Sequence, residues 1–265
     1  MKTLLYYFSG TGNTLMLARL LAKELEDVEI INIAGCQNSS TAPQADRIGI
    51  LFPVYAFGPP RMVTDFLKNL QPPEGAYIFS MVNYANAGGP AALKIAKAIL
   101  NENGIKLNAG FGVAMPSNYI PFGGAENQEK QNKKFIAAAE EVNRAGKIIK
   151  KAPESYFYKQ GFVPLFFARF CNRMLVKRCS KDAAKFYVND NCTSCGTCVK
   201  ICPVRNVKLV DKRPAWGNNC EQCMACLQWC PENAIQVKGV PGTRSHYQNP
   251  AVTAQELIED MQRQP

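Results

Sequence analysis

Eight of the eleven cysteines fall in one pattern that occurs twice, as Cys192-x2-Cys195-x2-Cys198-x3-Cys202-Pro203 and, 28 positions later, Cys220-x2-Cys223-x2-Cys226-x3-Cys230-Pro231. This is the ligand spacing of [4Fe-4S] clusters. Three cysteines in steps of three wrap a tight loop around three corners of a cubane, and the fourth, just before proline, points away to the other cluster. The expected ligand sets therefore cross over: Cys192, Cys195, Cys198 and Cys230 for one cluster, and Cys220, Cys223, Cys226 and Cys202 for the other. Ser194, Gly196 and Thr197 are small enough to let backbone N–H groups reach the sulfurs, while Pro203 and Pro231 suit the first turns of short helices. Zinc sites take their ligands in pairs, and a three-plus-one run with a trailing proline fits them poorly. Disulfides belong to exported proteins, and the apolar run Leu4 to Phe8 stops too early for an export signal, so a cytoplasmic protein is expected.

The rest of the composition narrows the chemistry further. In 265 residues there is a single histidine, His246, which nearly excludes histidine-based triads and His-rich metal sites. No apolar run is long enough to span a bilayer. The formal charge is +10, but its location matters more than its sum. Residues 1–143 are neutral and 186–265 carry +1, while 144–185 hold eleven basic groups against Glu154 and Asp182, a net +9. The segment 151–187 is read as a connector between a domain at 1–150 and a cysteine domain at 188–238, with a tail at 239–265 whose Thr253 and Glu256 form a capping box.

In the first domain, apolar runs alternate with helical periodicity. Strands are expected near 3–8, 28–33, 47–53, 76–82 and 107–115, and helices near 13–26, 60–70, 90–102 and 125–150. Such alternation predicts a doubly wound, five-stranded parallel sheet in an α/β domain, with ligands beyond the carboxyl ends of the strands. The turn Ser9-Gly10-Thr11-Gly12-Asn13-Thr14 stands at such an end. It offers backbone N–H groups at a helix N-terminus, three hydroxyls and an amide, but neither Lys nor Arg. That set suits a phosphate held by neutral donors. It lacks the Gly-Lys-[Ser/Thr] of a nucleotide P-loop and the dinucleotide glycine pattern. An ordinary capped turn is the alternative.

Tyr7, Ser9, Gly12, Thr14 and Ala18 resemble the signature of the flavodoxins, a strand ending in an aromatic followed by [Ser/Thr]-x-x-small-x-Thr and an alanine. The resemblance implies FMN, with its phosphate on residues 9–14 and its ring between the loops Pro53-Val54-Tyr55-Ala56-Phe57 and Asn83-Tyr84 to Gly88, with Asn118 after the fifth strand also facing the site. Residues 186–238 resemble the bacterial two-cluster ferredoxins, which implies a small α+β domain. The two parts in this order, with a basic connector and the Asn249-Pro250 tail, are similar to flavodoxin/ferredoxin fusions of anaerobic bacteria and archaea.

The connector is rich in aromatics, among them Phe162, Phe166, Phe167 and Phe170. After Pro164 a helix is expected, its apolar residues Phe166, Phe167, Phe170 and Met174 packed between the domains, and Arg169, Arg173 and Lys177 on another side. Its charge is expected to draw the two cofactor domains together; an acidic protein or an anionic membrane surface is the external alternative, and nucleic acid is not expected. Cys171 and Cys179 are read as plain thiols. The expected activity is electron transfer between the clusters and FMN, with a redox protein or small-molecule acceptor as partner. An FMN-dependent reductase refilled through the clusters and a redox-responsive sensor remain the alternatives.

Overall fold

The computed structural model describes residues 1–36, 42–159 and 163–263; Phe162 lies outside them. Within these residues the first domain runs β1 (Thr3–Tyr7), α1 (Asn13–Glu24), β2 (Val28–Asn32), β3 (Arg47–Pro53), α2 (Arg61–Asn69), β4 (Tyr77–Tyr84), α3 (Gly89–Glu102), β5 (Ala109–Ala114) and α4 (Gln128–Lys150). The connector supplies β6 (Tyr156–Phe157) and α5 (Leu165–Asp182). The strands pair in the order β2-β1-β3-β4-β5-β6, all parallel. The sheet thus has six strands where the sequence predicts five. The extra one is two residues of the connector added to the β5 edge, too short to show a period of its own.

Alternate side chains of β1 feed two cores, as the pleat requires. Leu4, Tyr6 and Phe8 pack with residues of α2 and α3. Leu5 and Tyr7 pack with residues of α1 and α4. Both faces are therefore covered, and strands buried on both sides read as continuous apolar runs. The order 2-1-3-4-5 is the flavodoxin-like one, whose switch point lies between β1 and β3, where the chain turns from building the sheet one way to building it the other.

The second domain consists of β7 (Phe186–Val188), α6 (Thr197–Lys200), β8 (Val207–Val210), β9 (Arg213–Trp216), α7 (Ala225–Gln228) and β10 (Ile235–Val237). β7 pairs with β10 and β8 with β9, both antiparallel. The two cysteine loops share one backbone path: Ser194 and Gly196 in the first, Gln222 and Met224 in the second, all adopt positive φ. The tail returns to the first domain, where α8 (Ala254–Gln262) opens on the expected capping box and packs Leu257 and Ile258 into the α1/α4 core.

Helix α5 corrects the expectation that its phenylalanine face is the buried one. It packs on the first domain through Ala168 and Asn172, and its buried Cys179 lies near Glu221 and Cys220 of the second, while Phe166, Phe167, Phe170 and Met174 are exposed. The domains are joined also by contacts of the cysteine loops and the tail.

Candidate functional site

The switch point opens into a cavity of about 470 Å³, inside the range of roughly 300–1,000 Å³ for small-molecule sites. Its lining includes Ser9, Gly10, Thr11, Asn13 and Thr14 from the β1 turn, Pro53, Val54, Tyr55, Ala56 and Phe57 from the β3 turn, Asn83 and Tyr84 after β4, and Asn118 and Tyr119 after β5. The structure thus gathers thirteen of the fifteen flavin-site residues read from the sequence around one space. Gly12 and Gly88 stand outside the lining. Gly12, at φ 95°, faces Asn249 and Val252, and Gly88, at φ 100°, packs on Val54 and Phe57.

Most polar groups of the phosphate-loop candidate are already ordered. Gly12 N–H donates to Ser9 Oγ at 3.0 Å, Thr14 Oγ1 to Asn83 Oδ1 at 2.7 Å and Asn13 Nδ2 to the Pro116 carbonyl at 3.1 Å. Asn118 Nδ2 donates to Thr11 Oγ1. The loop opens α1, whose macrodipole favours an anion at that end. Lys134 braces the ring side: its Nζ donates to the Ala85 carbonyl at 2.9 Å, the Met115 carbonyl at 3.3 Å and Glu126 Oε1 at 2.9 Å. The β3 turn closes as Tyr55 N–H and Gly58 N–H each donate to the other's carbonyl. Ala56 and Phe57 between them hold positive φ of 43° and 71°, strained backbone at the mouth of the cavity. Burial pushes the phenol of Tyr119 up to about 12 and raises those of Tyr55 and Tyr84, so all three stay neutral donors at physiological pH.

The cysteines gather in the two crossed sets. Cys192, Cys195, Cys198 and Cys230 line one small cavity, and Cys202, Cys220, Cys223 and Cys226 another. Among the described residues no three His, Cys, Asp or Glu side chains converge as ligands of a single ion. Each quartet lines a space, which suits a four-iron cubane. Backbone N–H groups already point at sulfurs, Asn206 at Cys202 (3.2 Å), Gln222 at Cys220 (3.3 Å) and Ala234 at Cys230 (3.3 Å), the type of contact that tunes cluster potential. Trp216 lines the second cavity, and its buried indole is a donor to the Cys226 sulfur, an interaction that favours the thiolate. Burial pushes the Cys220 thiol up to about 11 and raises those of Cys223 and Cys226. Ionising them calls for a bound metal's positive charge. Cys36 and Cys179, pushed up to about 11 and about 12 by burial, are not in either quartet, and neither is Cys171.

The two sites meet. Gln222, Cys223 and Met224 of the second cysteine loop also line the switch-point cavity, and a side chain on Gly10 would meet the Cys223 carbonyl at 2.2 Å. Glycine is required there because one loop's backbone lies on the other's. Trp229 Nε1 donates to the Gly10 carbonyl at 2.9 Å, and Gln228 Nε2 to the Asn118 carbonyl at 2.6 Å. Asn249 N–H donates to the Thr11 carbonyl at 2.9 Å, and its Nδ2 to Asn13 Oδ1 at 3.0 Å, which also accepts from Tyr247. Sequence reasoning missed Gln228, Trp229, Tyr247 and Asn249 here. The Asn249-Pro250 pair was the one visible signal.

A buried ion pair clamps the other side. Arg61 at the start of α2 pairs with Glu221 at 2.7 Å, and Glu221 is almost fully enclosed. Removing one partner of a buried pair costs about 3 kcal/mol or more. Arg61→Ala should therefore lower the unfolding free energy of the anaerobic holoprotein by about 3 kcal/mol, readable in a urea titration.

Residues 191–235 match the 4Fe-4S dicluster domain family. None of the curated proteins is significantly similar in sequence. Among solved structures, a Fusobacterium nucleatum flavodoxin mutant bound to flavin mononucleotide is similar at 16% identity and a TM-score of 0.41, over 58% of this chain and 98% of that one. A short-chain flavodoxin associated with a bacterial microcompartment is similar at 14% identity and a TM-score of 0.39, over 57% and 99%. For the rubredoxin:oxygen oxidoreductase of Desulfovibrio gigas the identity is 19% and the TM-score 0.36; the match covers 56% of this chain and only 36% of that one. The flavodoxin-like assignment rests on strand order and the switch-point cavity rather than on these likenesses. Fold, quartets and family match together define a flavodoxin-like domain fused to a 4Fe-4S dicluster domain. That is the build of an electron-transfer flavo-iron-sulfur protein.

Proposed function

We propose that the chain is an internal electron conduit between an outside one-electron carrier and FMN held at the switch point. When bound, the clusters exchange single electrons and FMN holds one or two, which couples the two kinds of redox chemistry. The observation that carries this reading is the wall formed by Cys223 and Met224, which belongs at once to the switch-point cavity and to the inner cysteine quartet. At the far end, Cys195 of the outer quartet is exposed, where an external carrier can approach. The residues supply position and insulation: the β1 turn holds a phosphate, Tyr55 and Tyr84 flank the ring space, and Met224 and Trp216 enclose the inner quartet.

The anaerobic protein should contain about eight iron per chain and release one FMN on denaturation. Its flavin should be reduced by added one-electron carriers, with no preference among small unsaturated acceptors. Rapid turnover of one such acceptor would establish the reductase instead, and failure to take up FMN would remove the conduit.

A further inference from the structure

Helix α5 turns only one side to the protein. Its buried side, Ala168, Asn172 and Cys179, faces the protein, with Asn172 Nδ2 donating to the Tyr55 carbonyl at 2.7 Å and Cys179 near Glu221. On the other side Phe166, Phe170 and Met174 follow at four-residue spacing, exposed to 78, 61 and 45%, with Phe167 beside them at 45%. Four of the ten exposed large hydrophobic side chains among the described residues thus sit on one helix, a concentration that scattered surface apolar residues do not produce.

The charge of the connector surrounds this ridge. Arg169, Arg173, Lys177 and Lys181 are exposed. Among the described residues the ion pairs of this stretch are Arg178–Asp182 and Lys185–Asp182, so these four have no acidic partner. These four cations are free to meet a negative surface outside the molecule.

We propose that α5 docks the protein on an anionic lipid bilayer, with Phe166, Phe170 and Met174 entering the headgroup boundary and the four cations meeting lipid phosphates. A protein partner would require directional hydrogen bonds, about one per 100–200 Å² of interface. Between Leu165 and Cys179 the only neutral hydrogen-bonding side chains are Asn172, which is buried facing the other way, and the thiol of Cys171. Aromatic and aliphatic groups rimmed by cations are what a lipid interface takes up, through apolar insertion plus attraction to anionic headgroups. Among the described residues no helix is long and apolar enough to cross a membrane, so α5 would lie on the surface. Leu175 lines the switch-point cavity and Phe167 stands 6.0 Å from the Phe57 ring. Docking would therefore bring the mouth of the cavity beside the bilayer.

The test is co-sedimentation of the anaerobic holoprotein with phosphatidylglycerol/phosphatidylcholine vesicles and with pure phosphatidylcholine vesicles. Binding is expected only to the anionic vesicles and should weaken as salt is raised. The double variant Phe166→Ser, Phe170→Ser should lose about tenfold or more in affinity while keeping its iron and flavin. Arg169→Ser with Arg173→Ser should weaken binding and flatten its salt dependence. No sedimentation with anionic vesicles, or binding unchanged in the phenylalanine variant, would overturn the proposal. Retention on polyglutamate without vesicle binding would overturn it in favour of an acidic protein partner.

Discussion

Replacing Cys226 with Ala should reduce the iron content from about eight to about four per chain and stop reduction of the flavin by one-electron carriers. Cys195→Ala should remove the outer cluster's roughly four irons instead and also slow flavin reduction by carriers, while sparing the exchange inside. The inner quartet shares its Cys223–Met224 wall with the switch-point cavity, so flavin and inner cluster would still exchange electrons, and only the exposed entry through the outer quartet would be lost. Iron analysis reports the loss of a cluster in each variant, and anaerobic stopped-flow absorbance follows flavin reduction. Flavin reduction by carriers at the wild-type rate in either variant would show that the quartets do not act in series. The different burial of the two sites makes the comparison fair to the fold: Cys195 is exposed, so its loss removes a ligand and little packing.

The second large effect concerns Asn249. Its side chain is fully buried and joins Asn13 Oδ1 at 3.0 Å to Ala251 N–H at 3.0 Å. Asn249→Ala removes two hydrogen bonds beneath the phosphate-loop candidate, at about 1 kcal/mol each a loss of about 2 kcal/mol. If it falls on the flavin-binding state, FMN affinity should drop roughly thirtyfold, read by fluorescence titration of flavin-free protein. Asn249→Asp keeps the acceptor to Ala251 but sets a buried carboxylate against Asn13 Oδ1, and should weaken FMN binding at least as much. An unchanged affinity in both would make the tail a packing element only.

The legibility of this chain in its sequence follows the range of the interactions. The cysteine repeat and the turn at residues 9–14 are local patterns, and the structure gathers those residues around three cavities. The sixth strand escapes because two residues carry no period. The tail escapes because Asn249 meets Asn13 from 236 positions away, with nothing local to announce it. Trp229 reads as a spacer between Cys226 and Cys230, yet its indole N–H holds the Gly10 carbonyl in the other domain. Helix α5 is predicted in the right place but with the wrong side buried. Periodicity shows which residues share a face, not which face packs. Asn172 comes so close to Gly58 that a side chain there would meet it at 2.5 Å. That close approach selects the side with Ala168 and Asn172 and turns the phenylalanines outward.

The claim that most needs testing is that flavin and inner cluster share one wall. Microwave power saturation of the flavin EPR signal in half-reduced anaerobic protein addresses it directly, because a paramagnetic cluster close by speeds relaxation. The account predicts a flavin signal that resists saturation in the wild type and in Cys195→Ala and saturates easily in Cys226→Ala. A wild-type signal that saturates like isolated flavin while both clusters are reduced would contradict it.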